Sequence, residues 1–190
     1  MNNQSHASNL ALRSQATLPE YRHWEADLKL IVEGIASQIG TDFFLTCVRY
    51  LAELLQIRYA LIAEFIDGDN PKAKVLAFWV GDDFGPNFEY FLAGTPCGVV
   101  LDQGLQIYES GIQQQFPDDI DLVTLGAESY LGIPICNSQG KPIGHIAGLH
   151  VQPLTRSYEE QAAILKIFAA RSAAEIERQL TEQALIQQNL

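Results

Sequence analysis

The sequence predicts an α+β domain in which helices cover one face of an antiparallel sheet. Three observations carry this: apolar residues at helical spacing near the start, short strand-like runs separated by turn formers in the middle, and a capped helix closing the chain. Helices and strands are segregated along the chain rather than alternating, and no internal repeat interrupts that order.

Length and charge narrow the class. At 190 residues and 47% apolar content, the chain is long enough to bury one sizeable core. Twelve basic residues against 23 acidic ones give a net charge of -11, a field that repels nucleic acid and anionic membrane surfaces. No stretch approaches the ~18 uninterrupted apolar residues of a membrane helix, and no secretory signal opens the chain, so the expected location is cytoplasmic. Cys47, Cys97 and Cys136 are odd in number and widely spaced, which fits neither a disulfide framework nor a structural zinc site.

Residues 1–18 are rich in Asn, Gln, Ser and Ala without periodicity and read as a disordered leader. A domain is expected over 19–180, with 181–190 as the end of a linker helix. Leu28, Ile31, Val32, Ile35 and Ile39 space a first helix that Gly40 should stop. Thr41 or Asp42 should cap a second, with Phe44, Leu45, Val48, Leu51, Leu54 and Leu55 along its apolar side and Cys47 packed within it. The period then falls to two. Tyr59 to Ile66 reads as a strand ending in the turn-rich Asp67-Gly68-Asp69-Asn70-Pro71. Lys74 to Val80 is a second strand whose continuous apolar run suggests cover on both faces. Phe88, Tyr90 and Leu92 alternate along a third. Thr95-Pro96 should open a short helix ended by Gly104. Leu105 to Glu109 forms a short strand, and 111–126 is turn-rich with a short helix around Ile120 to Leu125. Tyr130 to His150 places two apolar runs around Asn137-Ser138-Gln139-Gly140, a β-hairpin. Finally, Ser157-x-x-Glu160 has the form of a capping box before a long helix. Its stripe of Leu165, Phe168, Ala169, Ser172, Ile176 and Leu180 keeps near-heptad spacing and is expected to form a dimer helix.

The hairpin residues Tyr130, Gly132, Pro134, Gly140 and Gly144 resemble the signature hairpin of GAF domains. Gly94-Thr95-Pro96-Cys97, Phe116-Pro117-Asp118 and Gly126-Ala127-Glu128-Ser129-Tyr130 are similar to elements of GAF domains in bacterial and cyanobacterial sensor histidine kinases. The order of elements over roughly residues 22–180 also fits. The resemblance implies a sheet of about six antiparallel strands with the terminal helices on one face. On the other face, short helices and loops would enclose a small-molecule pocket, and the terminal helices would pair in a homodimer and signal to an output domain such as a kinase. The chain would then be either a segment of a longer sensor or a module that works by association.

Subfamily features narrow the chemistry. No cysteine precedes a histidine, which argues against a covalent bilin attached through a Cys-His pair, and the sequence names no other cofactor. The Asn-Lys-x-x-Asp element of cyclic-nucleotide binders has no match. His145 and His150 differ in parity on one strand and should point to opposite faces, so they cannot share a metal; a hydrogen-bonded or exposed strand residue is the preferred reading of His145. Cys97-Gly98 resembles the setting of a cysteine in free methionine sulfoxide reductases, and a helix N-terminus would stabilise its thiolate. Phe116-Pro117-Asp118-Asp119-Ile120-Asp121 offers no second thiol where that family has one, so a buried bystander is the simpler role. Asp118, Asp119 and Asp121 are best read as a solvated acidic loop rather than a cation site. Cys97, Tyr108, Phe116, Glu128 and Tyr130 are the candidate ligand-binding residues, because their segments frame the pocket in GAF domains.

The leading expectation is therefore a non-catalytic sensor that binds a small molecule or protein signal and dimerises through its terminal helices. The alternatives are a thiol-dependent reductase using Cys97 and a degenerate GAF domain serving only dimerisation.

Overall fold

The structure, a computed structural model, describes residues 28–29 and 32–188. The expected leader 1–18 lies outside these residues. Two units are distinguished, with the boundary after Ser37. In the first, residues 28–29 and 32–36 are helical (α1). The helix ends four residues before the expected stop at Gly40, and Ile39, expected on its apolar stripe, is 65% exposed.

The second unit begins with α2 (Gly40–Leu55), which buries Phe43, Phe44, Cys47, Val48, Leu51, Leu54 and Leu55. Neither Thr41 nor Asp42 caps it; Ile39 occupies the cap position, where no side chain bonds. The Gly40 N–H is instead satisfied from far along the chain, donating to Glu175 Oε1 at 2.7 Å. A carboxylate at that end also complements the helix dipole.

Seven strands form one antiparallel sheet. They are β1 (Tyr59–Ile66), β2 (Lys72–Val80), β3 (Asp83–Phe84), β4 (Glu89–Phe91), β5 (Gln106–Tyr108), β6 (Ser129–Cys136) and β7 (Pro142–His150). The order is β3-β2-β1-β7-β6-β5, with β4 also pairing to β2. Between the strands lie α3 (Pro96–Gln103), α4 (Ile112–Gln115) and α5 (Ile120–Thr124), and α6 (Tyr158–Gln188) closes the unit. The central pair joins the two hairpins: β1 runs beside β7, with Tyr59 opposite Leu149 and Glu64 opposite Gly144. The apolar run of β2 contains a bulge, because Ile62 pairs with Ala77 but Ala63 pairs with Val75, leaving Leu76 as the extra residue. The bulge brings Val75 and Phe78, three apart, onto the same face.

Helices α2 and α6 cover one face of the sheet. Within α6, Leu165, Phe168, Ser172 and Ile176 are buried inside the chain, between 0% and 3% exposed. These four members of the expected dimer stripe face the sheet and leave little surface of their own for a partner. Leu180, the remaining member of the set, is 50% exposed. The Ser157 hydroxyl accepts from the Glu160 N–H at 3.3 Å, so the expected cap is present.

The β6–β7 turn is built by Asn137, whose Oδ1 accepts from the N–H groups of Gln139 at 3.0 Å and Lys141 at 2.9 Å. Gly140 sits at φ 79°, a conformation costly for any residue with a Cβ. Glu177 of α6 ties this turn down by accepting from the Ser138 N–H and hydroxyl. Among the described residues no helix is long and apolar enough to cross a membrane.

Candidate functional site

The sheet face opposite α2 and α6 holds a second core. Tyr59, Leu61, Ala63, Ala73, Val75, Phe78, Tyr130, Ala147 and Leu149 rise from the strands and meet Leu92, Cys97, Val100, Ile112 and Leu122 from the covering loops and short helices. Helix α3 fixes one side of this cover. As its sequence predicts, Thr95 caps it by accepting from the Gly98 N–H at 3.1 Å, Pro96 takes the first turn and Gly104 ends it.

Within this layer a half-open cavity of about 50 Å³ remains. Its walls include Leu61, Phe78, Ala147 and Leu149 from the sheet, Phe88 and Tyr90 from the edge, Pro96 and Cys97 from α3, and Asp119, Asp121, Leu122 and Leu125 from around α5, with Tyr130 of β6. Three polar groups converge there. The Tyr130 hydroxyl donates to Cys97 Sγ at 3.4 Å, and the Tyr90 hydroxyl lies close enough to the same thiol to favour its thiolate. Tyr90 Oη also lies 2.8 Å from His145 Nε2. His145 is fully buried, stacked on Phe65 with centroids 5.3 Å apart, and its Nδ1 has no hydrogen-bond partner. Burial pushes His145 down to about 3, so the ring is neutral. His150, of opposite parity, accepts from the Arg58 N–H at 3.1 Å.

The tyrosine position depends on a neighbour without a side chain. A Cβ on Gly132 would overlap the Tyr130 hydroxyl, so the ring lies along its own strand above Gly132. This gives one glycine of the signature hairpin a role in aiming a cavity group.

Of the five candidate residues, Cys97 and Tyr130 line the cavity. Tyr108 and Phe116 are half-buried beside it: their rings pack edge to face at 5.6 Å, and Tyr108 also sits 6.1 Å from Tyr130. Glu128 is not on the wall; its Oε1 accepts from the Gly111 N–H at 2.9 Å and braces the turn before α4. The sequence reading missed Tyr90 and Phe88 as cavity residues, although Tyr90 was legible as an inward position of the third strand. It also placed Asp119 and Asp121 in a solvated loop, whereas both reach the cavity and Asp119 is half-buried. Burial, reinforced by the neighbouring Asp121 charge, raises the Asp119 carboxyl above its ordinary range, although N–H groups of Asp121 and Leu122 oppose the shift.

Cys97 is not activated. Burial raises its thiol to about 11, outweighing the hydrogen bonds from Tyr130 and Tyr90 that favour the thiolate. The helix N-terminus does not offset this burial, and nothing at the site supports the reductase alternative. Cys47 is likewise buried and raised to about 12, and Cys136 is part-exposed on the hairpin. Among the described residues, no three His, Cys, Asp or Glu side chains group as a metal site.

A sheet with α2 and α6 on one face and a loop-covered cavity on the other is a GAF-like architecture. The GAF domain family model matches residues 28–176, and the chain belongs to that family. No curated protein sequence matches it. Similar solved structures include the GAF domain of an Acinetobacter phosphoenolpyruvate-protein phosphotransferase, at 16% identity and TM-score 0.68, covering 85% of this chain and 98% of that one. The chromophore-binding domain of a bacteriophytochrome from R. palustris is 11% identical with TM-score 0.67, covering 86% of this chain and 62% of its own. The photosensory core module of a Stigmatella aurantiaca phytochrome is 13% identical with TM-score 0.68, covering 93% of this chain and 41% of its own. At these identities the likeness is one of fold, and the chain spans less than two thirds of those phytochrome chains.

Proposed function

We propose that this chain is a non-catalytic, cytoplasmic sensory domain that holds a small molecule in the cavity between the sheet and α3 and α5. The observation that carries this reading is the half-open apolar cavity into which Tyr90, Cys97 and Tyr130 direct polar groups, the composition expected of a ligand site. Occupancy would bias the loops over the sheet. The hairpin would pass that bias to α6, because Glu177 of that helix holds the β6–β7 turn. The far end of α6 would pair with a second copy around the exposed Leu180 and relay the change to an output domain.

The test is native mass spectrometry of protein purified from its own host, together with a thermal-shift screen of a chemically diverse library. A bound compound or a stabilising hit that disappears when Ala147→Leu fills the cavity, in a variant that keeps its circular dichroism spectrum, supports the proposal. No retained mass and no stabilising hit defeats it.

A further inference from the structure

Resting on the cavity reading above, we propose that the cavity selects the head group of a small organic cation, a primary or methylated alkylammonium. Four aromatic rings, Phe78, Phe88, Tyr90 and Tyr130, contribute to its wall. They are not coplanar: Phe78 and Phe88 are 5.6 Å apart at 75°, and Phe88 and Tyr90 are 5.7 Å apart at 41°. A ring that turns its π face to so small a space offers the negative side of its quadrupole, which attracts an ammonium group. The polar atoms inside suit this charge, since a neutral thiol sulfur and phenol oxygens offer lone pairs while no basic side chain lines the cavity.

The mouth has the complementary sign. Asp121 and Phe88 are exposed and Asp119 half-buried, which places the opening beside two carboxylates. Among the described residues neither carboxylate has a salt-bridge partner, in contrast to Glu64, Asp67, Glu89 and Glu175, each of which pairs with a Lys or Arg. An unneutralised acidic pair at an aromatic cavity disfavours an anionic ligand, and the chain's net charge of -11 adds to local enrichment of cations. Size selects the head group: about 50 Å³ accommodates roughly two water-sized groups. A methylammonium end fits that space, and the rest of the ligand would leave through the mouth past Phe88.

The experiment is a nuclear magnetic resonance titration at low ionic strength that follows the Tyr90 and Tyr130 ring signals. The probes are n-butylammonium, n-butanol and butyrate, which share a chain length and differ in charge. The expected result is saturable binding of n-butylammonium with a millimolar or tighter Kd and no comparable shift with the other two. The double variant Asp119→Asn, Asp121→Asn should weaken it at least tenfold, and Asn preserves the α5 cap that Asp119 provides. Phe88→Leu, which keeps an apolar wall without a π face, should weaken it several-fold. Equal binding of n-butanol or butyrate, or unchanged affinity in the double Asn variant, overturns the cation assignment while leaving a small-molecule pocket in place. If no probe moves the tyrosine signals, the cation assignment also falls, and the library screen then decides the broader reading.

Discussion

Acid should destabilise this fold in good part through one buried histidine. His145 is fully buried, and its ring is held neutral at about 3 against an ordinary value near 6.5. Between those values the unfolded chain binds a proton that the folded chain refuses, so stability falls as pH drops below about 6.5 and levels off below about 3. Each pH unit within that window is worth about 1.4 kcal/mol, so moving from pH 7 to about 4.5 should cost on the order of 2–3 kcal/mol from this group alone. That is a large part of the ~5–15 kcal/mol that holds a typical domain. The perturbation is His145→Gln, because an amide does not titrate yet can donate to or accept from the Tyr90 hydroxyl now 2.8 Å from Nε2. Urea denaturation of both proteins at each pH gives the difference between them, in which the other carboxylates and histidines cancel. The gap should shift by about 2–3 kcal/mol in favour of the variant at the lower pH. A gap that stays constant within about 0.5 kcal/mol would refute the burial argument.

Three further outcomes are expected. Gly132→Ala places a Cβ against the Tyr130 hydroxyl and should cost about 1–3 kcal/mol in chemical denaturation, with near-ultraviolet circular dichroism reporting the displaced ring; an unchanged midpoint would show that the ring moves freely. With its thiol raised to about 11, Cys97 should be alkylated by iodoacetamide at pH 7 on the order of 100-fold more slowly than part-exposed Cys136, as read by peptide mass spectrometry; equal rates would restore the case for a reactive thiol. Phe168→Ala should cost about 3–5 kcal/mol without changing the oligomeric state, whereas Leu180→Glu should leave the melting temperature nearly unchanged but dissociate any dimer in light scattering; the reverse pattern would return the dimer face to the middle of α6.

Local chemistry was legible where neighbouring residues settle it. Thr95-Pro96 with Gly104 bounds a helix, Asn137 with Gly140 shapes a hairpin turn, and Ser157 caps α6, because each depends on side chains within a few positions of the backbone they satisfy. Less was legible where a distant group intervenes. Thr41 and Asp42 were reasonable caps for α2, but the Glu175 carboxylate, 135 positions away from Gly40, takes that bond. The two-residue β3 has no periodicity to read, and the bulge at Leu76 looks in sequence like an unbroken apolar run. The stripe on α6 has the spacing of a dimer helix, yet the same spacing serves a helix laid on a sheet, and only burial separates the two.

The sequence by itself determined the α+β class, the antiparallel hairpins, the short capped helix and the GAF family resemblance, since these rest on periodicity, capping and turn residues. The tertiary structure alone decided the pairing of β1 with β7, which brings together strands about 85 positions apart, and with it the cavity. Sequence parity could direct Tyr90, Tyr130 and His145 to a face, but that face becomes a shared wall only when the central strands meet. The acidic loop shows why this matters: Asp119 and Asp121 are ordinary solvated residues in sequence, and they border the cavity because α5 folds over the sheet.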